Sequence, residues 1–466
     1  MSSGHSTSCA APSPWRDELR ATVTLALPLI ATQLAQISMV TTDVVLLGWL
    51  GPEALAAGSL GANIFFVLGT FSLGVLVAVS PMVAQAVGRK LHYVRDVRRS
   101  VRQGLWATLA VGIPGMAVLW HAEDILLILG QDPANAAAAR DYARALMWGF
   151  IPAVGFMLLR FFVTALERPR PALVVMVITF AVNATLAYGL IFGKLGLPAF
   201  GLVGAGIATS IANTLSFVSL LGFVLVDRRL RRFHILGNFW RPDWRRFVEL
   251  FRIGLPIGAV LLLEVGFFSS AIYLTGMLGT AELAAHQVAL QIASVSFMVP
   301  LGIGQAATVR VGLAAGAGDA AGIARAGWIA LMLGVVFMAT MATVMWTTPR
   351  SLVGLFLDLS RPENVRPAEL AVSFLALAAL FQVFDGAQTI AIGALRGLKD
   401  TRVPALLAGL GYWLVGFPVG VGLGFGLDWG GVGIWTGLAT GLAVVASLAV
   451  WRFARRERLG LVWAAR

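Results

Sequence analysis

The stretch Leu25–Ala57, LALPLIATQLAQISMVTTDVVLLGWLGPEALAA, decides the fold. From Thr24 to Leu47 it holds no basic residue and a single acid, Asp43, and it stops at the turn signal Gly51-Pro52. About 20 largely apolar residues cross about 30 Å of hydrocarbon, so this run reads as a membrane-spanning helix. Parts of it return later in the chain. Leu27-Pro28 recurs as Leu255-Pro256, Leu50-Gly51 as Leu278-Gly279, and Leu55-Ala56-Ala57 as Leu283-Ala284-Ala285, all at one offset of 228 residues. Gly201, Val203 and Gly204 match Gly430, Val432 and Gly433, and Ala165-Leu166 matches Ala394-Leu395, at an offset of 229.

Working outward, apolar runs between charged or Gly/Pro-marked breaks give twelve candidate spans. They fall near 24–47, 55–79, 101–120, 142–163, 172–191 and 202–226, then near 251–277, 283–309, 323–346, 370–395, 403–424 and 431–451. The offset equals six spans, so the halves share one orientation. The expected fold is an all-α membrane protein of two pseudo-symmetric six-helix bundles, with a site between them. The expected divisions are a disordered tail (1–20), the N-terminal bundle (21–226), an Arg-rich linker (227–249), the C-terminal bundle (250–452) and a basic tail (453–466).

Composition agrees. Of 466 residues 58% are hydrophobic and 12% charged, where a soluble domain is about 25% charged. The single cysteine, Cys9, excludes a disulfide framework. The net charge of +12 could suggest nucleic acid, but sorting the Lys and Arg by side of the membrane explains it. The side carrying both termini receives 29 of the 35, Arg160 and Arg396 among them, and the other side 6. That asymmetry places both termini in the cytoplasm of an inner (plasma) membrane and argues against a nucleic-acid partner.

Three acids fall inside spans: Asp43, Glu264 and Asp385. Glu264 lies about 18 Å up its helix from Arg252, Asp385 about 16 Å from Arg396, and Asp43 about 12 Å from Gly51. A carboxylate at a helix centre costs on the order of 2.5–3.5 kcal/mol, so intramembrane acids mark function by default. No basic residue is read at comparable depth. Polar stripes accompany the acids: Gln36 shares a face with Asp43, Gln382 and Gln388 flank Asp385, and Gln287 and Gln291 pair on the eighth span. Phe381, one turn before Asp385, offers a π face to a cation. All five histidines are read in tails, loops or span ends, with His286 at a helix start, and no P-loop run exists. No catalytic constellation is found, so a transporter is expected rather than an enzyme, with no cofactor.

The opening stretch, SPMVAQAVG (Ser80 to Gly88), GLVGAGIAT (Gly201 to Thr209), ELAAHQVALQI (Glu282 to Ile292) and FDGAQTIAIGALRGLKDTRVP (Phe384 to Pro404) resemble, in order and at matching spacing, the multidrug and toxic compound extrusion (MATE) family. The resemblance runs from about Leu25 to Trp451. It implies export of small organic cations or drugs in exchange for inward Na+ or H+. The norfloxacin-efflux branch carries acids in spans one, seven and ten, and Asp43, Glu264 and Asp385 match them. Glu264 and Asp385 are then expected to bind the coupling ion, Na+ included, and Asp43, Gln36, Asn183, Phe381, Gln382 and Gln287 to serve coupling or substrate binding. Many relatives carry an acid or amide four positions after the span-five Asn; here Ala187 stands there, which weakens a Na+ cage around Asp43 and Asn183. The chain is expected to work as a monomer in the lipid bilayer. The alternative is a flippase for lipid-linked oligosaccharide, disfavoured because the deep charges read as all acidic.

Overall fold

Long apolar runs in lipid must satisfy every backbone N–H and C=O internally, which leaves the helix as the available form. A computed structural model describes residues 14–237, 239–357 and 361–462, and among them there is no strand. Eleven helices are long and apolar enough to cross a membrane, and a bent pair supplies a twelfth crossing. We number the crossings α1 (Pro14–Leu50), α2 (Pro52–Arg89), α3 (Tyr93–Trp120), α4 (Pro133–Met147 and Phe150–Ala165, bent by 48°), α5 (Arg170–Phe192) and α6 (Gly201–Val226). The second half gives α7 (Trp244–Leu278), α8 (Thr280–Ala317), α9 (Ala320–Thr347), α10 (Val365–Gly397), α11 (Arg402–Gly426) and α12 (Gly430–Ala454). Within α11 the Gly-rich segments Leu410–Gly416 and Gly422–Gly426 are π-helical.

The repeat is visible in the backbone. Gly51, between α1 and α2, has φ 136°, and its counterpart Gly279, between α7 and α8, has φ 146°. Gly201 and Gly430, which open α6 and α12, have φ 54° and 56°. A side chain is disfavoured at these angles, so the paired glycines are what the two matching turns require. Pro28 and Pro256 also sit at matching places inside α1 and α7.

One expectation about the connecting segments changes. Residues 14–20, expected in a disordered tail, are the first two turns of α1. Asp17 lies in the first turn, where a helix dipole favours an acid, and Glu18 is held by Arg310 of α8 at 2.6 Å. Residues 1–13 and 463–466 of the two expected tails, Cys9 included, lie outside the described residues. The Arg-rich linker is docked on the N-terminal bundle. Apolar residues alternate with its arginines, and Leu230, Phe233 and Ile235 are buried. Phe233 meets Phe162 edge-on at 5.7 Å, Trp106 stacks on Phe239 at 5.7 Å, and Arg99 pairs with Asp243 at 2.6 Å.

The two halves meet on the side that carries both ends of the chain. There α2 packs on α7 and α8, and α1 on α8. Small residues let the backbones close in. A Cβ on Gly74 would lie 2.2 Å from Gly258 Cα, and one on Gly316 would lie 2.2 Å from the Gln85 carbonyl. Gln85 Nε2 donates to the Gly397 carbonyl at 2.8 Å, and Arg310 bridges Glu18 and Glu167. Farther along α8, toward the other side, Gln287 and Gln291 are exposed. They continue the stripe that carries Gly302, which at its own level packs against Ile30 of α1. The same face of α8 is therefore sealed near the termini and open away from them.

Candidate functional site

In the C-terminal half, α7 and α10 bring Glu264 and Asp385 to one amide. Gln388 Nε2 donates to Asp385 Oδ1 at 3.3 Å and lies 3.5 Å from Glu264 Oε1. Gln388 is oriented from its other end by Tyr412 of α11, whose hydroxyl donates to Gln388 Oε1 at 2.8 Å. Gln388 and Tyr412 are buried and Asp385 is 6% exposed. The second oxygen of each acid accepts no hydrogen bond among the described residues, and neither is sealed from solvent. Two carboxylates that share one amide, each with a further oxygen free of hydrogen bonds among the described residues, form a hard-oxygen set suited to a cation or a proton. No cluster of three or more His, Cys, Asp or Glu exists among the described residues, so a Na+ there would rest on two acids plus neutral oxygens.

The rest of the α10 stripe points elsewhere. Gln382 accepts from Ser296 Oγ at 2.9 Å and its Nε2 meets the Met338 carbonyl at 3.4 Å, so it ties α10 to α8 and α9. Phe381 is buried against Trp435 and Phe268, at 5.5 and 6.3 Å between ring centroids. Its π face, expected to meet a cation, is covered by aromatic neighbours. Gln287 makes no hydrogen bond to the acids among the described residues and is exposed. His286, read as a helix-start residue, is instead fully buried, edge-on to Trp435 at 5.3 Å, with neither ring nitrogen partnered. It lies nearly two turns into α8, which begins at Thr280, on the face that packs against α12.

In the N-terminal half, Asp43 is held by two donors. Asn183 Nδ2 of α5 donates to Oδ1 at 2.7 Å and Thr209 Oγ1 of α6 to Oδ2 at 3.2 Å. Asp43 and Asn183 are thus joined despite Ala187. The buried Tyr142 lies within electrostatic reach of Asp43.

The expectation that every deep charge is acidic is corrected by Arg160, which the sequence reading counts with the loops on the termini side. Arg160, on the second helix of α4, is 3% exposed and donates to Gln33 Oε1 at 2.9 Å and Gln36 Oε1 at 3.3 Å. Gln36 therefore serves Arg160 and not Asp43. Arg396, in the last turn of α10, lies within electrostatic reach of Glu264 and Tyr412 and bonds to neither among the described residues. Arg160 interrupts the run LLRFFVTA, and that position was the signal for it. Thr209 and Tyr412 carry no such signal, because a hydroxyl on a membrane helix bonds its own backbone as readily as a partner.

Two pseudo-symmetric helical bundles, each with a partly open acid in its interior and sealed together on one side only, define a secondary transporter. The MatE family profile matches residues 28–189 and 256–422. The chain belongs to the multidrug and toxic compound extrusion family. It is 51% identical, over 96% of its length and 95% of the relative's, to the probable multidrug resistance protein NorM of Mesorhizobium japonicum. It is 49% identical, over 95% and 94%, to that of Brucella suis. Among solved structures it superposes on a MATE protein in a bent conformation (TM-score 0.85, 19% identity, 96% and 99% covered). It superposes likewise on the eukaryotic MATE transporter AtDTX14 (TM-score 0.83, 22% identity, 96% and 100% covered).

Proposed function

We propose that the chain is an inner-membrane antiporter that exports cationic or amphipathic organic compounds in exchange for inward Na+ or H+, working as a monomer with both termini in the cytoplasm. The observation that carries the reading is the single Gln388 amide shared between Glu264 and Asp385. Two carboxylates that share one amide nitrogen, at 3.3 and 3.5 Å, repel by about 2 kcal/mol or more at an effective dielectric of 20. A proton or Na+ relieves that repulsion, and an organic cation relieves it equally, so ion and cargo compete for one electrostatic vacancy. That competition is the requirement of exchange. One positive charge moving inward down about 100 mV supplies about 2.3 kcal/mol.

With 28 of the 35 basic residues read on the termini side once the interior Arg160 is set aside, the sealed side is cytoplasmic and the open stripe of Gln287 and Gln291 faces outward. Asp43, clamped to α5 and α6 by Asn183 and Thr209, couples occupancy to movement of the N-terminal bundle, with Pro28 as the place where α1 bends. The reading is tested by reconstituting the protein and measuring export of a fluorescent organic cation under a Na+ gradient and, separately, a pH gradient. Export under at least one gradient and none without either is expected; export indifferent to both would remove antiport.

A further inference from the structure

On the outer surface of the N-terminal bundle, the first helix of α4 and the helix α6 leave between them an open crevice of about 960 Å³. From α6 it is lined by Val203, Ile207, Ile211 and Val218, whose spacing of four, four and seven residues puts them on one helical face. Ile211 and Val218 are 44% and 56% exposed, and Trp148, just past the end of the facing helix, is 67% exposed. The hydroxyls in the wall are used within it. Ser210 Oγ accepts from the Gly149 N–H at 3.1 Å and donates to the Ala145 carbonyl at 2.6 Å, and Thr214 Oγ1 donates to the Ser210 carbonyl at 2.8 Å. Both are committed to backbone, which leaves an apolar trough below one charged end.

That end lies on the side away from the termini, beside the close of α3, and is lined by Asp141 and Arg144. Arg140 bonds Glu123 at 2.8 Å and Asp141 Oδ1 at 2.9 Å. One cation shared by two acids leaves a negative excess at Asp141, whose Oδ2 accepts no hydrogen bond among the described residues. Arg144 has no acid bonded to it; its guanidinium lies 4.3 Å from the Trp120 ring and its Nε is buried without a partner. A half-buried cation without a counter-charge is costly, and the anion a bilayer supplies at this level is a lipid phosphate. Asp141 and Arg144 are three residues apart, so about 5–6 Å between Cβ atoms, a spacing that suits a phosphate and an ammonium joined through two carbons. From Val203 to Val218 the trough runs about 22 Å along α6, more than the about 15 Å that one leaflet gives to a hydrocarbon core of about 30 Å. We propose that this crevice binds one phospholipid with a phosphoethanolamine headgroup, its phosphate on Arg144, its ammonium on Asp141 and one acyl chain in the trough of α6.

The test uses the full-length protein in detergent, stripped of lipid and titrated with phosphatidylethanolamine, phosphatidylcholine and phosphatidylglycerol of identical chains. The Kd for the first lipid bound is read by native mass spectrometry. Choline has no N–H to donate to Asp141 and glycerol has no positive charge, so phosphatidylethanolamine should bind about fivefold more tightly than either. Asp141→Asn should abolish that preference. Arg144→Gln should weaken phosphatidylethanolamine about tenfold, and Ile211→Trp, which fills the trough, should weaken all three lipids. Asp428→Asn, which removes an exposed acid at the start of α12 on the same side, should follow the parent. Asp141 is exposed, so its variant covers the case in which Arg144→Gln fails to fold. Equal affinity for the three lipids in the parent, a preference that survives Asp141→Asn, or a protein dimer in place of the bound lipid overturns the site. Competition by free phosphoethanolamine at equal concentration would show that the headgroup binds without the chain and overturns the trough.

Discussion

Replacing Gly74 by alanine tests the seam on which alternating access depends. A Cβ at Gly74 would stand 2.2 Å from Gly258 Cα, 2.5 Å from Gly258 N and 3.3 Å from the Ile257 carbonyl carbon. Carbon atoms rest at about 3.5–4.0 Å, so α2 and α7 must separate by more than about 1 Å. The obstructing atoms are backbone, so no rotamer change relieves them. Overpacking of this kind costs about 1–3 kcal/mol. Paid only by the conformation in which the seam is closed, that converts to about a 5- to 150-fold shift away from it.

The structure supplies its own controls for this change. A Cβ on Gly258 points differently and meets Phe71 O at 3.6 Å, an ordinary contact, and one on Gly222 of α6 meets nothing within 4 Å. Spin labels at Leu91 and Leu406, exposed residues on the sealed side of the two bundles, report the opening as a distance distribution once Cys9 is replaced by serine. Gly74→Ala should transfer population to longer distances, and Gly258→Ala and Gly222→Ala should follow the parent. The reasoning is refuted if the Gly74→Ala distribution coincides with the other two.

Further outcomes follow from the same contacts. Tyr412→Phe strands the buried Gln388 Oε1 and should weaken coupling-ion affinity about tenfold, read from the Na+ or proton dependence of export. Thr209→Val removes one of the two donors to Asp43 at nearly constant volume and should lower the export rate without loss of folded protein, measured by transport beside thermal melting. The Asp243 carboxyl, pushed up by burial but pulled down further by Arg99 and by the Arg246 N–H, is held below its ordinary value. Its contribution to linker docking is therefore present above pH 3.8 and lost as pH falls through the lowered value. Hydrogen exchange across residues 230–243 in detergent should rise on acidification, and Asp243→Asn should raise it already at neutral pH.

The sequence made legible whatever a single residue could announce against an apolar background. Gly51 and Gly279, 228 positions apart, foretold two matching turns because their backbone angles tolerate little else. Asp43, Glu264 and Asp385 stood out because no apolar face explains a carboxylate. What remained hidden depends on direction. Gln382 and Gln388 both lie three residues from Asp385, yet one turns to Ser296 and the other to the acids, since three residues leave each about 60° off the helix line. Arg160 was hidden by its position five residues before the end of its helix, where a long side chain reaches loop or interior equally well. Phe381 was misread for a related reason: the offer of a π face depends on which neighbours cover it, and Trp435 lies 54 residues away in sequence.

The central claim is that Glu264 and Asp385 hold the coupling ion. The most direct measurement is gradient-driven export of a fluorescent organic cation by reconstituted Glu264→Gln and Asp385→Asn, beside Gly222→Ala as a neutral comparison. The account predicts that both acid variants lose the response to the driving gradient while the comparison retains it. Gradient-driven export intact in both acid variants would contradict it.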